Sequence, residues 1–163
     1  MSNVYLKVME EIDLEKVLEW RNSERVRQGM YTNRNINLDE HINWFHSCRE
    51  RKDIKNFVCY LADKAIGVVN ITDIDFENRT CSWSIYRGEE NCPHGIGFQM
   101  GKCVLEYIFN ELKMRKVYVD ILGNNTISKN FHEKLGFKVE GVFKEQIVRN
   151  GFGLDVLRLA IFR

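Results

Sequence analysis

The stretch CPHGIGFQMGKC, residues 92–103, decides how the chain is read. It holds the only proline, then two glycines two positions apart, then the start of an apolar helical run. Glycine permits a positive φ and a close approach of ligand to backbone. The first turn of a helix offers unpaired N–H groups and the positive end of a dipole to an anion. A G-x-G before a helix therefore reads as a phosphate cradle or as a tight corner, and the flanking chain must decide between them.

The run continues helically, because Met100, Val104, Leu105, Ile108 and Leu112 share one face. Before it lie three strands, Asn56–Leu61, Ala65–Ile74 and Thr80–Tyr86, joined by the turns Asp63-Lys64 and Asp75–Arg79. After it come a strand at Val117–Leu122, a helix at Asn125–Leu135 closed by Gly136, and strands at Val139–Arg149 and Gly153–Phe162 around an Asn150-Gly151 turn. Toward the N-terminus, Val4–Val8 alternates as a strand and Asp13 caps a helix over Leu14–Trp20. Residues 21–36 are polar and turn-rich, and Asn37 with Glu40 forms a capping box for a helix reaching about Arg49. The order is β-α-α-β-β-β-α-β-α-β-β, and the strand–helix–strand unit over 80–122 is expected to be right-handed. If its two strands pair at one end and splay at the other, the glycine loop stands at the mouth of the gap, where ligands are expected.

Totals narrow the class. A chain of 163 residues fits one domain, 1–163, and 44% hydrophobic with 29% charged residues suits a globular protein with its own core. Lys plus Arg (24) nearly cancels Asp plus Glu (23), which argues against nucleic acid as the main partner but allows a local anion site. Five cysteines with no C-x-x-C pair and no leader-like start, since Met1–Val8 reads as a strand, are expected to be reduced thiols in a cytoplasmic protein. No apolar run has the length of a membrane span, so no membrane partner is expected. His41 and His46 are five apart and off a common helical face, so no metal is expected.

Two stretches together resemble the GNAT superfamily of N-acetyltransferases. CPHGIGF is similar to its pyrophosphate loop, R/Q-x-x-G-x-G/A, and NNTISKNFHEKLGF (124–137) to its signature N-x-x-A-x-x-x-Y-x-K-x-G-F. The resemblance implies an α/β (α+β) single-domain fold: a mixed, mostly antiparallel sheet of about seven strands, helices on both faces, and a V-shaped gap between the fourth and fifth strands. It implies acetyl-CoA as cosubstrate, without a metal. The pyrophosphate would rest on peptide N–H groups of Gly95, Ile96, Gly97, Phe98 and Gln99. Asn125, Ser128 and Lys129 would meet the pantetheine arm, with Asn125 also reading as a plain N-cap. Backbone N–H groups at Ile85 and Tyr86, where the family's fourth strand bulges, would hold the oxyanion. Cys92 stands in place of Arg or Gln, and His132 in place of the tyrosine that protonates the leaving thiolate. His132 is then the expected acid, against the alternative that it packs beside Phe131.

LEWRNSERVRQGMY (18–31) and INLDEHINWF (36–45) resemble, within that family, the acetyltransferases of pseudaminic acid biosynthesis, which acetylate the 4-amino group of a UDP-linked 4-amino-4,6-dideoxy sugar. By that resemblance Arg21, His41 and Thr72 contact the nucleotide, while Met30, Tyr31 and Trp44 line an apolar pocket for the deoxysugar. A sugar methyl group suits Met and aromatic surface, and a diphosphate suits cations and donors. Each also reads as core or helix-end residue, Tyr31 in its polar loop least so. Asp120 aligns with a proposed general base, or is a structural acid paired with Lys or Arg. A protein N-terminal acetyltransferase of ribosomal-protein type and a non-catalytic acetyl-CoA sensor are the alternatives. A dinucleotide module fits poorly, because its pattern needs Gly or Ala where Met100 stands. A UDP-amino sugar is thus the expected small-molecule partner, and a homodimer is compatible with the reading.

Overall fold

The computed structural model describes residues 4–163, so of the run Met1–Val8 only Val4–Val8 lies within the described residues. Strand β1 (Val4–Val8) leads through a 3-10 turn (Glu11–Asp13) into α1 (Leu14–Asn22), α2 (Glu24–Arg27) and α3 (Leu38–Arg49). Then come β2 (Lys55–Leu61), β3 (Lys64–Asp75), β4 (Thr80–Arg87), α4 (Ile96–Asn110), β5 (Lys116–Leu122), α5 (Thr126–Leu135), β6 (Lys138–Arg149) and β7 (Phe152–Phe162). The expected order is present, with α2 added inside the polar stretch: Val26 is buried there, within a single turn of helix.

Two N-termini differ in detail from the sequence reading. Asp13 makes no cap bond to α1, because its carboxylate reaches back to accept the Glu10 N–H at 2.8 Å. Asn37 does cap α3, accepting the Glu40 N–H at 2.8 Å, but the box stays open. The Glu40 carboxylate is instead held bidentately by Arg34, a charge-assisted pair that outcompetes a single backbone donor.

The seven strands form one sheet in the order β1-β2-β3-β4-β5-β7-β6. Every neighbouring pair is antiparallel except β4–β5, which is parallel and holds for only three residue pairs, Thr80–Lys116, Cys81–Val117 and Ser82–Tyr118. Beyond Ser82 and Tyr118 the strands part. Each is secured on its other side: β4 follows β3 in unbroken register from Gly67–Arg87 to Thr72–Ser82, and β5 follows β7 from Lys116–Phe162 to Leu122–Val156. The bulge expected on β4 at Ile85 and Tyr86 is absent. The irregularity falls between Thr72 and Asp75 on β3, where Asp73 has φ 50°. The Asn150-Gly151 turn has φ 52° and 80°, the two positive values that a tight hairpin matching strand twist requires.

Alternation along the strands separates two apolar layers. Phe57, Cys59, Val69, Ile71, Cys81 and Trp83 pack against Met100, Val104 and Ile108 of α4 on one face. Val58 and Val68 pack against Leu14, Val17, Trp20 and Phe45 of α1 and α3 on the other. The five cysteines are free thiols, and burial pushes those of Cys59 and Cys81 up to about 12. Among the described residues no helix is long and apolar enough to cross a membrane, and no cluster of His, Cys, Asp or Glu could hold a metal.

Candidate active site

The gap between β4 and β5 has a wall on each face of the sheet. On the α4 side, Gly95 caps the helix with φ 80°, a left-handed conformation that favours glycine. Not all the N–H groups expected to cradle an anion are free. Ile96 donates to the Pro93 carbonyl, and Phe98 and Gln99 both donate to that of Gly95. The N–H groups of Gly95 and Gly97 make no such bond, and a Cβ built on either residue meets nothing within 4 Å. The Ile96 side chain is buried in the core, Phe98 lies 5.0 Å beneath the Lys134 ammonium, and the Gln99 Oε1 is buried without a partner. Across the gap, Asn125 caps α5 by accepting the Ser128 N–H at 3.1 Å, and Lys129 pairs with Glu133 along the helix.

His132, one turn beyond Ser128, is 3% exposed. The Trp83 indole N–H donates to its Nε2 at 3.1 Å, and Nδ1 lies 2.7 Å from the Ser128 carbonyl. An indole can only donate, so Nε2 is the acceptor and Nδ1 carries the proton. Burial pushes the imidazole below its ordinary pKa, only partly offset by the Ser128 hydrogen bond.

The opposite face of the sheet carries the residues expected to meet an acceptor, in two groups. Arg21 donates to the Thr32 carbonyl at 2.7 Å, while its Nη1 is buried without a partner. Burial lowers its pKa and raises that of Tyr86, whose hydroxyl the guanidinium pulls back down. His41, 5% exposed, stacks on Trp44 at 5.3 Å; burial lowers its pKa, and its Nε2 is buried without a partner. The second group stands across the gap. Tyr31 lies near Asp120, and burial first, then that carboxylate, raises its hydroxyl. Asp120 is gripped by Arg158 through two 2.8 Å hydrogen bonds, so the ion-pair alternative is realised. Thr72 pairs with Ser82 where β4 and β5 still touch, and its hydroxyl lies 3.5 Å from the Asp73 carboxylate; no hydrogen bond joins it to either group. Sequence reasoning missed Asn56 and Asn70, cross-strand partners whose Oδ1 atoms are buried without partners on this same face. Their signal was polar residues inside two otherwise apolar strands.

A family model described as an acetyltransferase (GNAT) domain matches residues 3–138. The chain belongs to that family. Spermidine N(1)-acetyltransferase of Escherichia coli K12 is 27% identical over 125 residues, 77% of this chain and 63% of the relative, so the match spans under two thirds of that protein. Spermidine N(1)-acetyltransferase of Vibrio cholerae is 24% identical over 99% of this chain and 94% of its own. The crystal structure of the Vibrio cholerae enzyme with CoA and spermine has a TM-score of 0.90 at 23% identity, covering 98% of this chain and 95% of that one, a likeness of fold.

Acetyl-CoA is the cosubstrate of this family of acyltransferases, and the residues present fit it. The open space at Gly95 and Gly97, their N–H groups, and the strand edges left bare beyond Ser82 and Tyr118 offer an anion cradle followed by a slot for an extended amide chain. His132 does not fit the acid's part. Both ring nitrogens are engaged inside the protein and burial disfavours the charged form, so it ties α5 to β4 instead.

Because neither glycine's Cβ would strike protein, Gly97→Val should leave the fold intact while raising the KM for acetyl-CoA about tenfold or more, the acceptor KM staying level. A matching rise in both values with loss of folded protein would make this glycine structural. For His132, the folded pKa lies below the unfolded value of about 6.5, so the unfolded chain binds the extra proton and stability falls as pH drops below that value. Thermal melts from pH 8 to 5 should show Tm falling on the acid side, with buried His41 acting in the same sense. His132→Phe strands the Trp83 N–H and should cost about 1–3 kcal/mol of stability. The kcat of the folded variant, compared with wild type between pH 6 and 9, should differ little; a hundredfold fall would restore the acid role.

Proposed function

We propose that the chain transfers the acetyl group of acetyl-CoA to the 4-amino group of a UDP-linked 4-amino-4,6-dideoxy sugar. Charge on the acceptor face is the observation that carries this choice. Arg21, Arg27 and Arg149 have no carboxylate at ion-pair distance among the described residues; Arg21 and Arg27 spend donors on carbonyls of the 21–36 segment itself, and Arg149 on those of its Gln28–Tyr31 part. Of the acids in the same region, Glu40 and Asp120 are matched by Arg34 and Arg158, while Asp73 beside Thr72 and Glu24 of α2 have no ion-pair partner among the described residues, which sets three arginines against two carboxylates. Such a surplus attracts a diphosphate and repels a polycation. The unpartnered Arg21 Nη1 and His41 Nε2 support polar contacts to a nucleotide, and Met30, Tyr31 and Trp44 supply apolar surface for a 6-deoxy methyl group.

Acetyl-CoA brings an acyl group already activated as a thioester. The chain's part is to orient it, free the amine of its proton and steady the developing charge. The bare β4 edge beyond Ser82 presents N–H groups from alternate residues of the Ile85–Tyr86 region to the gap, without needing a bulge. Asp120 sits just past the last β4–β5 pair, and its remaining lone pairs are the proposed destination of the amine's proton, directly or through a water. Exposed Val139, Val142 and Phe143 on the outermost strand β6 support self-association.

A second reading, a polyamine acceptor, has the names of the relatives in its favour. Mass analysis of products formed from acetyl-CoA with a UDP-4-amino-4,6-dideoxy sugar, spermidine and short peptides separates the candidates. Acetylation of the sugar nucleotide is expected, with free UDP as a competitor; acetylation of spermidine alone would replace the proposed acceptor. Arg21→Ala should weaken UDP-sugar binding by about 1.5–3 kcal/mol in calorimetry and leave acetyl-CoA binding unchanged. For the base, Asp120→Asn should cut kcat by about a hundredfold, while Arg158→Gln, which breaks the same pair and spares the carboxylate, keeps most of it. Equal losses in both variants would reduce Asp120 to a structural partner.

A further inference from the structure

Arg149, the last residue of β6, reaches a loop about 120 positions earlier in the chain. Its Nη2 donates to the carbonyls of Met30 at 2.7 Å and Tyr31 at 3.1 Å, and its Nη1 to that of Gln28 at 3.4 Å. The loop's own bonds are few: Gly29 donates to Val26 at 3.2 Å and Met30 to Arg27 at 3.0 Å. No carboxylate among the described residues competes for the guanidinium, whose planar fork can serve several carbonyls at once. On the loop's other side Gly29 lies against the cap of α5, since a Cβ on it would stand 3.0 Å from Asn125 Nδ2. The loop is therefore seated between the end of the β6–β7 hairpin and the residue that starts α5, and it carries Met30 and Tyr31.

We infer that Arg149 is a positioning residue for the acceptor: it fixes the Gln28–Tyr31 loop, and with it Met30 and Tyr31, against the cap of α5. The inference rests on the proposed reading of this face as the acceptor side, and not on which acceptor binds there. A lysine at 149 keeps the charge and loses the fork, so it separates positioning from simple electrostatics. Small displacements of a group that orients a reacting partner are costly: a misplacement of about 1 Å can cost about a hundredfold in rate.

Two measurements on wild type, Arg149→Ala and Arg149→Lys test it. In hydrogen exchange, peptides spanning residues 28–33 should exchange faster in Arg149→Ala, and to a lesser degree in Arg149→Lys, while peptides of α4 and β5 match wild type. In steady-state kinetics the kcat/KM for the UDP-amino sugar, or for spermidine if that is the acceptor acetylated, should fall about tenfold in Arg149→Ala with the KM for acetyl-CoA unaffected. Loop exchange equal to wild type overturns the inference, as does a parallel rise in the KM for acetyl-CoA. Should Arg149→Ala not fold, Arg149→Lys carries both readouts. A wild-type enzyme that ignores the UDP-amino sugar defeats the proposed substrate alone, because the exchange measurement decides the role of Arg149 without any acceptor.

Discussion

Parallel pairing between β4 and β5 ends after three residue pairs, and the site follows from that arrest. A backbone edge cannot be left dry and unpaired without cost, so an opening inside a sheet persists only where water or a ligand satisfies it. Here both strands are locked by their outer neighbours, β3 and β7, and cannot swing together to close the opening. Under the opening, Trp83 stacks on Phe137 at 5.4 Å and takes His132 at its edge at 5.8 Å. This aromatic wedge fills the volume on the α4–α5 side and keeps the sheet from collapsing there.

The two faces of the sheet do different work because of what their strands carry. On the α4–α5 face the strand residues are apolar, so the peptide N–H groups of Gly95 and Gly97, free of backbone partners, are the donors this face has to offer an anion. The other face departs from apolar alternation at Asn56, Asn70, Thr72, Ser82 and Ser84, which line up across β2, β3 and β4 by register. Helices α1 and α3 cover only the Val58–Val68 end of that face with apolar contacts. The polar residues lie outside that apolar cluster, half-buried, with the Oδ1 atoms of Asn56 and Asn70 left without partners.

The chain declared most of this fold locally. Periodicity, the glycines around residue 95 and the Asn150-Gly151 turn are short-range signals, and strand and helix positions followed from them to within a few residues. The four-residue α2 stayed hidden because a single buried Val26 makes no pattern. The site was legible in its motifs and less so in its side chains. The motif put His132 at the right place on α5, but no local feature shows that Trp83, 49 residues away, occupies its Nε2. The same holds for Arg158 and Asp120, 38 apart, and for Arg149 and Met30, 119 apart. Each is a pairing of one arginine among many with a partner that only the assembled sheet brings near. Buried unpartnered atoms such as Asn70 Oδ1 are likewise visible only once neighbours are known.

The placement of the three tryptophans gives the protein an optical readout of its own workings. Trp20 of α1 is sealed in the core, Trp44 lies on His41 on the α1–α3 side of the sheet, and Trp83 stands at the foot of the gap with its indole N–H bound to an imidazole. Indole emission responds to polarity and to nearby quenching rings, so each chromophore reports a different compartment. Light from Trp44 should follow occupation of one side of the sheet and light from Trp83 the other, while Trp20 stays constant until the chain unfolds. Single-tryptophan versions would let binding order be watched in real time, without attaching any label.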